Sequence, residues 1–250
     1  MNRFAWFFVS CFLLGVPLAS AKDSLSVFQK ANAAYRGGDY VQAASLYESL
    51  LKEGVKDASV DYNLGNAYFK QNRLGLALLH YEKARRLGPR EPDVRFNLNY
   101  ARGLVEYRIE DKRNWYSKTW ESLLKFFTFG EVGVLMLFFG LIFWSSWILA
   151  LYLRTGGSGR EGVRKTLMVL SMLALSLWVL KGLHGQTVRE GVILKPEAAV
   201  RYGPSYKDQV ALKLAEGMKV RIQKQSEDWY RVSLPNGETG WMFQEDLGVI

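Results

Sequence analysis

His80 and His184 are the two histidines of this 250-residue chain, and Cys11 is its one cysteine. Residues of these types serve as general base, metal ligand or nucleophile, and such chemistry needs them to converge with carboxylates in one place. Their positions argue against convergence: His80 falls at a helix-packing position, His184 just past an apolar run, and Cys11 inside the apolar N-terminus. No phosphate loop, nucleophile elbow or metal-ligand cluster accompanies them. No catalytic residue, metal or cofactor is therefore expected. The side chains suited to work are amides and rings, namely Asn32, Asn63, Asn66 and Asn97 early in the chain and Tyr202, Tyr206, Trp229 and Trp241 late in it. Amides hydrogen-bond peptide backbone, and aromatic rings bury a large area at low entropic cost, so this palette suits recognition.

An internal repeat positions the first set. Ala31 and Gly65, Ala43 and Ala77, Tyr47 and Tyr81, and Leu50 and Ala84 each stand 34 positions apart. Gly37-Gly38-Asp39 and Gln71-Asn72-Arg73 read as turns between paired helices. The spacing Gly65, Tyr68, Ala77, Tyr81, Ala84, closed by Pro89, resembles the tetratricopeptide (TPR) repeat, with units at 24–57 and 58–91. After Pro92, Asp93 is expected to cap a further helix, so that 92–105 closes a TPR domain spanning 24–105. The resemblance implies a concave face lined by the first helix of each repeat. Phe28, Asn32 and Tyr35 come from the first unit and Tyr62, Asn63, Asn66, Phe69 and Lys70 from the second, while Phe96, Asn97 and Tyr100 come from the capping helix. Asn32 and Asn63 match asparagines with which some TPR proteins clamp a terminal carboxylate. Phe28 and Asp93 stand where that clamp needs basic residues, which favours backbone hydrogen bonding to a partner segment instead. A solvated inner face, or a surface for self-association, is the competing reading.

The rest of the chain alternates between membrane and envelope signals. Arg3, an apolar stretch and Ala19-Ser20-Ala21 form the pattern of a signal peptide over 1–21, either cleaved or kept as an anchor. Residues 132–153 carry no charge and, at about 1.5 Å per residue, exceed the roughly 30 Å of a hydrocarbon core. Residues 166–183 make a shorter second span or an interfacial helix, with Lys181 snorkelling. Between them, 154–165 reads as a loop with Arg154, Arg160, Arg164 and Lys165 against Glu161, the bias of a cytoplasmic loop. An exported N-terminus gives the same orientation, with 22–131 and 184–250 both outside. Residues 106–131, with Trp115, Tyr116 and Trp120, read as an amphipathic linker at the bilayer surface or as a rigid extension of the repeats.

From residue 190 the pattern alternates with a period of two. Five short strands are expected, near 199–202, 210–214, 218–222, 229–234 and 240–243, with turns at Glu216-Gly217 and Pro235-Asn236-Gly237. Val200-Arg-Tyr-Gly-Pro, Glu216-Gly-Met-Lys-Val and Asp228 through Trp241 resemble, in order, the bacterial SH3-like domain. That likeness implies a small all-β barrel that binds peptides or cell-wall material or braces its neighbours. Tyr202, Tyr206, Trp229 and Trp241 are its ligand candidates.

The net charge of +9 is concentrated in no one basic domain, and its densest excess is the short segment 154–165, so no nucleic-acid partner is expected. The whole is a multidomain chain: an α-helical TPR solenoid, a two-helix transmembrane hairpin and an SH3-like barrel. This order, with Pro89, Pro92 and Asn97-Leu-Asn-Tyr-Ala-Arg102, resembles BatE-type proteins of the Bacteroides aerotolerance operon. The resemblance implies a membrane-bound accessory of an assembly containing von Willebrand A-type proteins and a MoxR-type ATPase. A rival expectation is a peptidoglycan-binding sensor or tether.

Overall fold

The computed structural model describes residues 18–106, 109, 112–152, 158–187 and 189–250. Most of the signal segment expected at 1–21 lies outside them, and α1 (Leu18–Arg36) begins at its end. α1 pairs with α2 (Tyr40–Lys52) and α3 (Ala58–Lys70) with α4 (Leu74–Leu87), while α5 (Pro92–Gly103) follows as a single helix. Both hairpins turn through a residue in the left-handed region, Gly38 at φ 84° and Asn72 at φ 59°. Asp39 and Asp57 cap α2 and α3, accepting from the Gln42 N–H at 2.9 Å and the Ser59 N–H at 2.6 Å. Asp93 does not cap α5. Pro92 takes the first helical position, where its fixed φ and missing N–H cost nothing, so Glu91 becomes the cap residue and Asp93 moves into the first turn.

Small residues bring the helices together. A Cβ on Gly65 would lie 2.7 Å from two ring carbons of Tyr81, so that ring rests directly on the α3 backbone. Ala31, Ala43, Tyr47, Leu64, Ala77 and Tyr81 make the centre of this core. His80 also belongs to it: its Nδ1 lies 2.8 Å from Asp61 Oδ1 and its ring stacks on Tyr68 at 5.6 Å.

The C-terminal domain is a seven-stranded antiparallel sheet. Its strands are β1 (Arg189–Ile193), β2 (Ala198–Arg201), β3 (Val210–Leu214), β4 (Lys219–Ser226), β5 (Trp229–Ser233), β6 (Thr239–Phe243) and β7 (Leu247–Val249). Their order is β3-β2-β6-β5-β4-β1-β7, and Ile193, Val200, Leu214, Val220, Val232, Met242 and Leu247 converge on one core, so the sheet curls upon itself. The five strands expected from alternation correspond to β2–β6. β1 and β7 are additional: β1 ends in three consecutive buried residues and β7 has only three residues, so neither alternates.

Between these domains run α6 (Trp115–Phe126), α7 (Phe129–Tyr152) and α8 (Ser158–Thr187). α7 and α8 are long and apolar enough to cross a membrane, over Phe129–Leu149 and Gly162–Leu183. They pack as an antiparallel pair, with Phe129 5.1 Å from Trp178 and the Ser171 hydroxyl donating to Phe139 O at 3.0 Å. The basic segment expected as a loop over 154–165 is helical from Ser158 onward. An apolar helix already nucleated extends into flanking Arg, Lys and Glu at little cost, since these are good helix formers.

Candidate interaction faces

Helices α1, α3 and α5 bring the predicted groove residues together on one side of the repeats, in two classes. The four asparagines form a ladder. Asn32 Oδ1 accepts from the Tyr47 hydroxyl at 2.6 Å and from Asn63 Nδ2 at 3.2 Å. One repeat later, Asn66 Oδ1 accepts from the Tyr81 hydroxyl at 2.7 Å and from Asn97 Nδ2 at 2.9 Å. Asn97 Nδ2 also donates to Tyr62 Oη at 2.9 Å. The equivalent residues are therefore Asn32 with Asn66 and Asn63 with Asn97, and Asn32 and Asn63 bond each other across the repeat junction. Burial pushes the hydroxyl of Tyr47 up to about 12, keeping it protonated as a donor. The Nδ2 atoms of Asn32 and Asn66 and the Oδ1 atoms of Asn63 and Asn97 make no hydrogen bond among the described residues. They offer donors and acceptors at a regular spacing.

The second class is aromatic. Phe28 meets the edge of Tyr47 at 6.0 Å and Tyr35 meets Tyr40 at 5.3 Å, while Tyr62 lies 6.0 Å from Tyr81. Phe69 packs edge-on to Tyr100 at 5.9 Å. Phe96 and Tyr100, one turn apart on α5, are 72% and 58% exposed, and Lys70 lies exposed at the end of α3. Large rings left open beside free amide groups make this the surface best suited to bury against a partner.

The barrel presents a different arrangement. On its outer face Trp229 and Phe243 are cross-strand partners, with rings 5.6 Å apart, and Tyr206 folds over them at 4.9 and 5.3 Å. This covers Trp229, which is 7% exposed and supports the cluster rather than presenting itself. Tyr206 and Tyr202 remain open at 63% and 70%. Trp241 is half-buried between its cross-strand neighbours Arg201 and Arg231. Phe243 escapes a reading from sequence because the covering ring arrives from a loop.

The barrel also docks on the repeats. Val192 and Ile193 are neighbours in β1, yet Val192 joins the repeat core and Ile193 the barrel core. A Cβ on Gly75 of α4 would lie 2.6 Å from Ile193 O, and one on Gly217 would lie 2.6 Å from Leu78 Cδ1. Gly75 N–H donates to Glu216 Oε1 at 2.6 Å, and Arg86 to Ile250 O at 2.9 Å. β1 and the β3–β4 turn thus cover the α4 face that a following helical hairpin would cover, closing an array that otherwise ends in a lone helix.

At the centre of this junction Glu82, 2% exposed, meets Arg85 at 2.8 Å, Lys219 at 3.2 Å and Arg102. Burial alone would raise its carboxyl, but Lys219, Arg102 and Arg85 outweigh that and hold it well below the usual carboxylate range. Lys219 continues to Glu190 at 2.8 Å, and Lys125 of α6 joins Glu190 at 2.9 Å and Glu121 at 2.5 Å. One ion-pair chain therefore links repeats, barrel and α6. Sequence periodicity places Glu82 and Lys219 on ordinary polar faces and carries no sign of this pairing.

The tetratricopeptide repeat family matches residues 28–92, and the bacterial SH3 domain family matches residues 194–247. The chain joins TPR repeats to a bacterial SH3 domain. Both are protein-interaction modules, and the second is compatible with cell-wall binding. No curated protein matches the chain. Similar solved structures include an NlpC/P60 family protein from Bacillus cereus ATCC 10987, at 25% identity over 26% of this chain and 21% of that one, with a TM-score of 0.22. Another is the C-terminal SH3 domain of myosin IB from Entamoeba histolytica, at 20% identity over 26% of this chain and 95% of that one, with a TM-score of 0.18. The chain spans about a fifth of the length of the first. Among the described residues no group of three or more His, Cys, Asp or Glu is placed to hold a metal.

Proposed function

We propose that the chain is a non-catalytic scaffold anchored in a bacterial cytoplasmic membrane by α7 and α8, with the TPR and SH3 domains both on the outer side. The observation that carries this reading is the dock on α4. Two domains that share a core and an ion-pair chain need to lie on one side of the helical pair that separates them in sequence. Because the SH3 domain uses α4, the face formed by α1, α3 and α5 stays open for a partner. That partner is a protein segment recognised through the open amide atoms and the rings of Phe96, Tyr100, Phe69 and Phe28. The resemblance to BatE-type proteins points to von Willebrand A-type proteins and a MoxR-type ATPase system as the assembly served, in envelope stress or aerotolerance.

Photo-crosslinkers at Phe96 and Phe69 in intact membranes test this. A discrete adduct at both positions, absent when the crosslinker is moved to Lys52 on α2, is the expected outcome. Labelling that is equally diffuse at all three positions counts against a partner groove.

The open Tyr202, with Tyr206 resting on Trp229 and Phe243, favours a second reading, in which the SH3 domain holds peptidoglycan. Saturable co-sedimentation of the detergent-solubilised chain with purified sacculi, lost on Tyr202→Ala with Tyr206→Ala, would establish it. Absence of binding by the unmodified chain removes it.

A further inference from the structure

A cavity of about 540 Å³ lies where α5, α6 and the SH3 domain meet, apart from both interaction faces. Two helical stripes face each other across it. α5 contributes Arg95, Asn99 and Arg102, spaced i, i+4, i+7, and α6 contributes Lys118, Ser122 and Lys125 at the same spacing. Lys219 and Glu190 of the sheet, Arg85 of α4 and Arg113 also line it.

Charge decides what such a space can hold. Seven arginines and lysines line it against two carboxylates, Glu121 and Glu190. Those carboxylates are already shared, Glu121 among Arg113, Lys125 and Arg221 and Glu190 between Lys125 and Lys219. Glu82 of α4, bonded to Arg85, Arg102 and Lys219 of the lining, is likewise divided among three cations. The side chains of Arg95, Asn99 and Ser122 make no hydrogen bond among the described residues. A guanidinium, an amide and a hydroxyl open to a cationic cleft suit a compact anion with several acceptor oxygens.

We propose that this cavity is a binding site for a phosphate-bearing anion. Arg95 and Arg102 would grip the oxygens from one wall, Lys118 and Lys125 would neutralise them from the other, and Ser122 and Asn99 would fix orientation. The ligand has two sources, a soluble phosphate compound or the headgroup of an anionic phospholipid. α6 makes the second accessible, because it ends at Phe126, just before α7 begins at Phe129. Its other side exposes Tyr116, Trp120 and Leu123.

The test uses the full chain in neutral detergent, titrated with inorganic pyrophosphate, and in nanodiscs of phosphatidylcholine with or without phosphatidylglycerol, followed by native mass spectrometry. Saturable pyrophosphate binding or selective retention of phosphatidylglycerol is expected, weakened by salt and weakened about tenfold or more by Arg95→Glu. Arg95 is exposed and its side chain makes no hydrogen bond or ion pair among the described residues, so this variant keeps the fold, and Lys224→Glu on the barrel surface should change nothing. Lipid retention without pyrophosphate binding assigns the headgroup; pyrophosphate binding indifferent to lipid composition assigns a soluble ligand. Failure of both probes to bind, or equal binding by Arg95→Glu, overturns the proposal.

Discussion

Lys219 Nζ lies 3.2 Å from Glu82 Oε2 although 137 positions separate the two residues in sequence. Both helices long and apolar enough to cross a membrane lie between them, so this one pair reports whether the two domains are docked. Lys219→Met leaves Glu82 buried with Arg85 and Arg102 alone. Breaking a buried pair outright costs about 3–5 kcal/mol, and two remaining partners should hold the loss nearer ~1–3 kcal/mol. Thermal melting of the purified chain gives the size of the effect, and faster amide exchange in α4 and β1 gives its place. Unchanged exchange there would mean the dock does not depend on the pair.

The same network makes docking sensitive to acid. Burial alone would raise the Glu190 carboxyl from 4.5, but Lys219 and Lys125 bring it down to about 2, and Glu82 is held low by its own cations. A folded value below the unfolded one adds stability that is complete above the unfolded value and lost as pH falls toward the folded one. Melting temperature should therefore be level from neutrality to about pH 5 and decline between about pH 4.5 and 2. Glu190→Gln should flatten that decline; a decline of the same slope in the variant assigns it to other carboxylates.

Backbone contact, rather than charge, sets the closeness of the domains at Gly75. A side chain there would collide with Ile193 O, which cannot rotate away as a side chain would. Gly75→Val should separate the SH3 domain from α4, at about 1–3 kcal/mol, while the repeats stay helical. Limited proteolysis is expected to cut between residues 184 and 190 faster in the variant, with little loss of helical circular dichroism. Loss of both together would indicate that α4 itself had failed.

How far these relationships could be read in advance depends on their range. The offset between Tyr47 and Tyr81 is written in the sequence, as are the positive-φ turns at Gly38, Asn72, Gly217 and Gly237, because each is fixed within one repeat or one turn. Asp93 misleads because Pro92 claims the first helical position ahead of it. Glu82 and Lys219 are silent, since helical or strand period says which face a residue occupies and nothing about what covers that face. Val192 and Ile193 break the strand pattern for the same reason, both being buried but in different cores.

Repeat equivalence yields a paired prediction. Tyr47→Phe and Tyr81→Phe each remove one hydroxyl from an asparagine that keeps a second donor, Asn63 or Asn97. Both tyrosines are almost wholly buried, at 1% and 2% exposure, so the two losses should be alike, about 0.5–1.5 kcal/mol each in urea denaturation. A large cost for one and none for the other would show that the ladder is not energetically periodic.

The proposed topology gives the most demanding prediction, because two separate substitutions must agree. With Cys11 replaced by serine, a cysteine at Lys52 on α2 probes the repeats and one at Lys224 on β4 probes the SH3 domain, both positions being exposed. A membrane-impermeant maleimide added to intact cells, with the outer membrane opened where present, should label both to similar extents. A cysteine at Arg160, between the two apolar stretches, should label only after the inner membrane is permeabilised. The docked junction forbids a mixed result: Val192 cannot complete the repeat core, nor Lys219 reach Glu82, from the opposite side of a bilayer about 30 Å thick. Labelling of Lys224→Cys without Lys52→Cys would thus refute the dock and the membrane reading together. Labelling of neither, with Arg160→Cys accessible, would leave the dock intact and reverse the orientation.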